Sequence, residues 1–158
     1  MPSINSQLNK PDPFIINKNQ CEDIIYSYLQ ERGFDFKVVD SRNDADLHAV
    51  KLGRKLLIEA RGNQAMGHDI NTVFDSTQIG IHIAEQIQLI LKLYESVDEH
   101  TILVIANPDI PRIRQQVERI SKALSDLKIA SLWVQKDKKN VIVEYPHILT
   151  EPMKQLGF

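Results

Sequence analysis

Thr101 to Ala106 reads TILVIA, an apolar run with no charged residue, set between polar stretches. A strand covered on one face alternates apolar and polar residues, whereas one covered on both faces does not. The run therefore asks for a sheet with helices on both sides, which points to the α/β class. The segments C-terminal to it agree. Pro111 suits the first turn of a helix, Ile113, Val117, Ile120, Leu124 and Leu127 recur at helical spacing, and Ala130 to Gln135 reads as a second apolar strand. Strand, helix and strand in this order make a right-handed crossover with parallel strands.

The segments upstream add an antiparallel part. Asn19 is a cap for a helix to about Arg32, with Ile24, Ile25, Tyr28 and Leu29 on its apolar face and Gly33 at its end. A short strand is expected over Phe36 to Val39. Asp46 then opens the strand ADLHAV, Lys51 to Arg54 is a turn containing Gly53, and Lys55 to Arg61 (KLLIEAR) returns as the second arm of a hairpin. Thr77 to Glu95 is a long helix with Ile79, Ile83, Ile87, Ile90, Leu91 and Tyr94 on one side, and Val141 to Tyr145 is a last strand. Residues 1–18, with Pro2, Pro11 and Pro13, read as a poorly ordered leader. The domain is expected over 19–145, and 146–158 is a tail.

Alternation along KLLIEAR puts Glu59 and Arg61 on one face with Leu57. A carboxylate in such a run must pair with a cation or lie at a water-filled cleft, because burying it alone is costly. The hairpin brings Asp46 toward it. Two converging carboxylates suit a hard divalent cation such as magnesium, and a bound ion of that kind polarises a phosphodiester and acidifies water. Arg61 beside them is placed to stabilise charge on phosphorus but is a poor base, because guanidinium keeps its proton. On the residues alone a plainer reading stays open, with Glu59 and Arg61 as a solvated charge face, Asp46 as an acid after the loop-like Ser41 to Asp44, and Glu22 as a first-turn helix acid.

Composition limits the partners. The 19 Lys and Arg against 21 Asp and Glu leave a net charge of −2, so nucleic acid would have to meet a local patch. Arg42, Lys51, Arg54 and Lys55 around the hairpin, with Arg112 and Arg114 after Pro111, are the candidates for phosphate contacts. The single Cys21 excludes an internal disulfide and a cysteine-based zinc site, in keeping with a cytoplasmic protein. Neither a membrane span nor a secretory signal is apparent. His48, His68 and His82 do not form a spaced ligand pair, and nothing suggests a Ser-His-Asp or Cys-His triad.

An aspartate opening one strand, then E-x-K on the next, with a helix before and a helix and strand after, is the pattern of the PD-(D/E)XK, or restriction-endonuclease-like, nucleases, and this chain resembles it. Asp46 and Glu59-Ala60-Arg61 carry the resemblance, with arginine in the lysine position as a departure. The resemblance implies a three-layer α-β-α fold with a central mixed sheet and a metal-dependent hydrolase of DNA. Asp46, Glu59 and the Ala60 carbonyl would hold Mg²⁺ or Mn²⁺, Arg61 would stabilise phosphate charge, and Glu22 would hold a metal-bound water. Gln78 is similar to a polar residue that some branches carry at that helix. A domain this small would work as a homodimer or beside a partner protein. The alternative is a non-catalytic member that binds nucleic acid or protein, with Arg61 paired to Glu59.

Overall fold

The buried run at Thr101 lies inside the sheet, as its composition demands. The computed structural model describes residues 1–39 and 45–158. In chain order it contains β1 (Ser3–Ile4), α1 (Lys18–Gln30), β2 (Asp35–Phe36), β3 (Leu47–Lys51), β4 (Arg54–Ala60), β5 (Thr72–Val73), α2 (Ser76–Tyr94), β6 (Thr101–Pro108), α3 (Pro111–Glu118), α4 (Ser121–Asp126), β7 (Ile129–Val134), β8 (Val141–Glu144) and α5 (Thr150–Gln155). The main sheet has six strands in the order β2-β3-β4-β6-β7-β8. β4, β6 and β7 are parallel, and the hairpin β3–β4 and both edge strands pair antiparallel. α1 crosses β3, β4, β6 and β7, while α2 packs on β4 and β6 and against α3, and α4 lies on β7. Consecutive right-handed crossovers put α2, α3 and α4 in one layer, so the chain is a three-layer α-β-α domain with a mixed central sheet. Ile102 to Pro108 and all of β7 are buried.

Three local expectations shift. The helix after Pro111 is not continuous: Ile120 leaves helical dihedrals (φ −116°, ψ 15°) and splits it into α3 and α4, which still bury Val117 and Leu124. On α2 the buried stripe is Ile79, Ile83, Gln86 and Ile90, whereas Leu91 and Tyr94 are exposed. Leu91 stands about 100° round the helix from Ile90 and so turns off the packed face. α1 begins earlier than an Asn19 cap would allow. Asn17 is the cap: its side chain accepts from Gln20 N at 2.9 Å, and Gln20 Oε1 accepts from Asn17 N at 3.0 Å. That brings Lys18 into the first turn.

Residues 1–18 are not a loose leader. β1 pairs with β5, Phe14 and Ile16 are buried, and Asn63 fastens the segment to the sheet. The Asn63 side chain accepts from Ile16 N at 2.8 Å and donates to Phe14 O and Asp12 Oδ2, both at 2.9 Å. Asp12 in turn accepts from Arg112 Nε and Nη2 at 2.8 and 2.6 Å. Pro11 and Pro13 flank Asp12, so they lie in an anchored stretch rather than a disordered one. The end of the chain is folded too. His147–Leu149 is a 3-10 turn leading into α5, which buries Met153, and Leu156 turns inward after it. No helix among the described residues is long and apolar enough to cross a membrane.

Where β4 ends, Gly62 passes against the start of α1. A Cβ there would lie 2.4 Å from Ile16 O, 2.6 Å from Asn17 C and 2.8 Å from Lys18 N, all backbone atoms. Only glycine permits this approach. Gly62→Ala is expected to cost about 1–3 kcal/mol, as overpacking does, and to lower the melting temperature by roughly 3–10 °C in a thermal melt. An unchanged melting temperature would show that the contact is slack.

Candidate active site

β3–β4 register sets the site. Leu47 pairs with Ile58, so Asp46 and Glu59 continue the ladder by one more position and meet at the carboxyl ends of β4 and β6. In sheets with parallel strands this end is where ligands usually bind. Asp46 is fixed at two points: Oδ2 accepts from Ala60 N at 2.9 Å, and Oδ1 faces Lys18 Nζ at 2.9 Å. Glu22, one turn further along α1, lies 3.9 Å from the same ammonium. Arg61 closes the cluster. Its Nη1 donates to Ala60 O at 2.7 Å and stands 3.7 Å from both Asp46 Oδ2 and Glu59 Oε2.

The electrostatics arise from burial. Glu59 is only 3% exposed, and among the described residues no donor comes within hydrogen-bond distance of its Oε2, Arg61 Nη1 standing off at 3.7 Å. Its pKa is pushed up to about 8, first by desolvation and then by the shared proton and repulsion of Asp46, with Arg61 and Lys18 opposing. Burial, and next the Asp46 charge, also raise Glu22, while Lys18 pulls it down. Protonation of Glu59 removes one negative charge from a cluster of three carboxyl groups, Asp46, Glu59 and Glu22, and two cations, Lys18 and Arg61.

Two buried amides brace the strand ends from behind. Gln86 of α2 is fully buried and donates to Glu59 O at 2.9 Å and Ala106 O at 3.3 Å, and it exchanges hydrogen bonds with the Asn107 side chain at 3.2 and 3.1 Å. Nothing in the strand alternation or the turn residues marks Lys18, Gln86 or Asn107 as part of the site. A glutamine among isoleucines on the stripe of α2 is the available signal for one of them.

Of the expected residues, Asp46, Glu59, Ala60, Arg61 and Glu22 come together, and others do not. Gln78 closes a capping box with Asp75, donating from its backbone and accepting Asp75 N at 2.9 Å. Cys21 is buried, which holds its thiol protonated. The basic residues do not ring the cluster. Lys51 donates to Arg32 O and Leu156 O, and with Arg54 and Lys55 it sits at the hairpin turn, roughly 17 Å from Asp46 at about 3.4 Å per residue. Arg112 is held by Asp12, and Arg114 by Asp109 and Glu144 over the Trp133 ring. Arg42 lies outside the described residues.

The donor set answers to a hard cation in part. Two carboxylates and the Ala60 carbonyl converge, and Glu59 Oε2 is a buried oxygen without a hydrogen-bond partner among the described residues, which suits an ion such as magnesium that keeps several waters. Among the described residues no cluster of three or more His, Cys, Asp or Glu is arranged for a metal. The cation that faces all three oxygens here is Arg61 Nη1.

No family model matches the chain, and no curated protein matches it. Among solved structures it is similar to the crystal structure of an XisH family protein from Nostoc punctiforme, at 9% identity and a TM-score of 0.51, over 81% of this chain and 99% of that one. The likeness is one of fold.

Because Glu59 binds its proton more tightly when folded, the native state holds more protons than the unfolded chain between its ordinary pKa near 4.5 and about 8. The stability associated with this group is therefore full below pH 4.5 and declines as pH rises to about 8. Glu59→Gln carries no such proton. Melting curves from about pH 5 to about pH 8.5 should show the variant gaining on the wild-type protein by several degrees as pH rises; a difference that does not change with pH would contradict the assignment.

Proposed function

We propose that the chain is a restriction-endonuclease-like protein that hydrolyses phosphodiester bonds in DNA with the help of magnesium or manganese. The observation that carries this reading is the convergence of Asp46, Glu59 and the Ala60 carbonyl at the carboxyl ends of the strands, the arrangement that the E-x-K resemblance implies. The α-β-α fold shared with the XisH family structure is in keeping with it.

Asp46, Glu59 and Ala60 O would hold the ion, which when bound supplies charge to polarise the phosphate and acidify water. The protein's own groups do the rest. Glu59 must lose its proton to act as a ligand, so ion binding and deprotonation are linked. Ala60 N keeps Asp46 in place, and Gln86 and Asn107 hold the strand ends rigid. Arg61 offsets the repulsion between the carboxylates. Glu22, half-buried beside Lys18, is set to orient water on the open side. A second copy or a partner protein is the proposed source of specificity, in the cytoplasm, where Cys21 stays reduced.

One observation favours a second reading. Arg61 Nη1 already faces the three oxygens that the ion needs, so a non-catalytic module with arginine as its permanent internal cation is consistent with the same geometry. Cleavage of duplex DNA by purified protein separates them. The nuclease reading expects cleavage that requires magnesium and falls by at least about 10²-fold in Asp46→Asn and Glu59→Gln, with both variants folded. An inactive wild-type protein whose melting temperature ignores magnesium would leave the module as the correct account.

A further inference from the structure

Two cations meet the carboxylates, and they are not equivalent. The Arg61 side chain is 10% exposed and Lys18 39%. The guanidinium is turned inward: it donates to the carbonyl of its own neighbour and stands between Asp46 and Glu59. A phosphate approaching from solvent would have to displace those contacts to reach it. Lys18 is different. Its ammonium rests on Asp46 Oδ1 at 2.9 Å and near Glu22 at 3.9 Å, and its side chain keeps about four times the fractional exposure of Arg61. An ammonium has three donors, so one contact to Asp46 leaves others for a second anion.

The placement of Lys18 is also built rather than incidental. The Asn17 capping box starts α1 one residue before it. Asn17 bridges to Gln64, and Gly62 presses against Lys18 N, so the first turn of α1 is locked to the end of the strand that carries Glu59 and Arg61. Glu59 Oε2, buried and without a hydrogen-bond partner among the described residues, belongs to the same cluster.

We infer that Lys18, and not Arg61, is the phosphate-contacting cation of this site, and that Arg61 is the internal counter-ion that holds the two carboxylates together. The inference rests on the nucleic-acid reading proposed above and assigns to a residue outside the E-x-R element the contact expected of its third position. The chemistry recognised is a phosphodiester oxygen, met by a fixed charge at the solvent edge of the carboxylate pair.

The test is binding, not cleavage. Affinity of the full chain for a labelled duplex is measured by fluorescence anisotropy in EDTA at several salt concentrations, for wild type, Lys18→Gln, Lys18→Arg and Arg61→Gln, with a melting curve for each. Loss of one phosphate contact lowers the slope of log affinity against log salt by about 0.9. Lys18→Gln should bind more weakly with its slope reduced by about that amount, and Lys18→Arg should keep the wild-type slope. Arg61→Gln should keep the slope and lose melting temperature. A wild-type protein that binds while Lys18→Gln retains its slope and affinity, or a slope reduced only in Arg61→Gln, overturns the assignment of Lys18 and leaves the nucleic-acid reading standing. A wild-type protein that binds no duplex at low salt overturns both.

Discussion

Glu59 is a carboxyl group buried at the end of an interior strand, and the surroundings are arranged around the cost of placing it there. An ionised carboxylate at that depth needs compensating charge, and this one also faces a second carboxylate. Three features answer the cost. Glu59 takes up a proton more readily than an exposed glutamate does, Arg61 reaches back between the acids, and Lys18 neutralises Asp46 from the solvent side. Replacing such a cluster with apolar residues is often neutral or stabilising for a fold, so a cluster of this kind suggests a task other than stability.

The same cluster ties the layers of the domain together. β4 delivers Glu59 and leads into Arg61, α1 delivers Lys18 and Glu22, and α2 reaches the strand ends through Gln86. Their relative positions depend on Gly62, which lets backbone pass backbone, and on Asn63, which is fully buried and binds the N-terminal segment by its amide. The segment before α1 is therefore a structural part of the site's floor. Asp12 extends this bracing to α3 through Arg112, which explains why that arginine is not free to meet a ligand.

The layered architecture was legible in the sequence because it rests on periodicity. TILVIA, the KLLIEAR hairpin arm and the spacing of Ile79, Ile83 and Ile90 each report burial directly. Asp46, Glu59 and Arg61 were legible as neighbours because strand alternation and a short turn set their register. What was hidden depends on contacts between distant segments. Lys18 looked like a residue before a helix capped by Asn19, and only the reciprocal bonds between Asn17 and Gln20 move the cap back and bring Lys18 into the first turn. The first residues looked disordered because their prolines were more conspicuous than Phe14 and Ile16. Arg112 looked like a free charge because its acidic partner, Asp12, is remote in the chain, whereas Arg114 has one partner five residues away, Asp109, and one remote, Glu144.

The whole cluster turns on the protonation state of Glu59, and that can be observed without any ligand or activity. Selective ¹³C labelling of glutamate side chains, with Glu59→Gln used to assign the resonance, allows its carboxyl carbon to be tracked by NMR as pH is raised. The buried, proton-sharing group described here should titrate near 8, well above the surface glutamates, and should titrate lower in Asp46→Asn, where the neighbouring charge is gone. A midpoint close to 4.5, the same in wild type and Asp46→Asn, would mean that Glu59 is solvated and separate from Asp46, and the site as described would not exist.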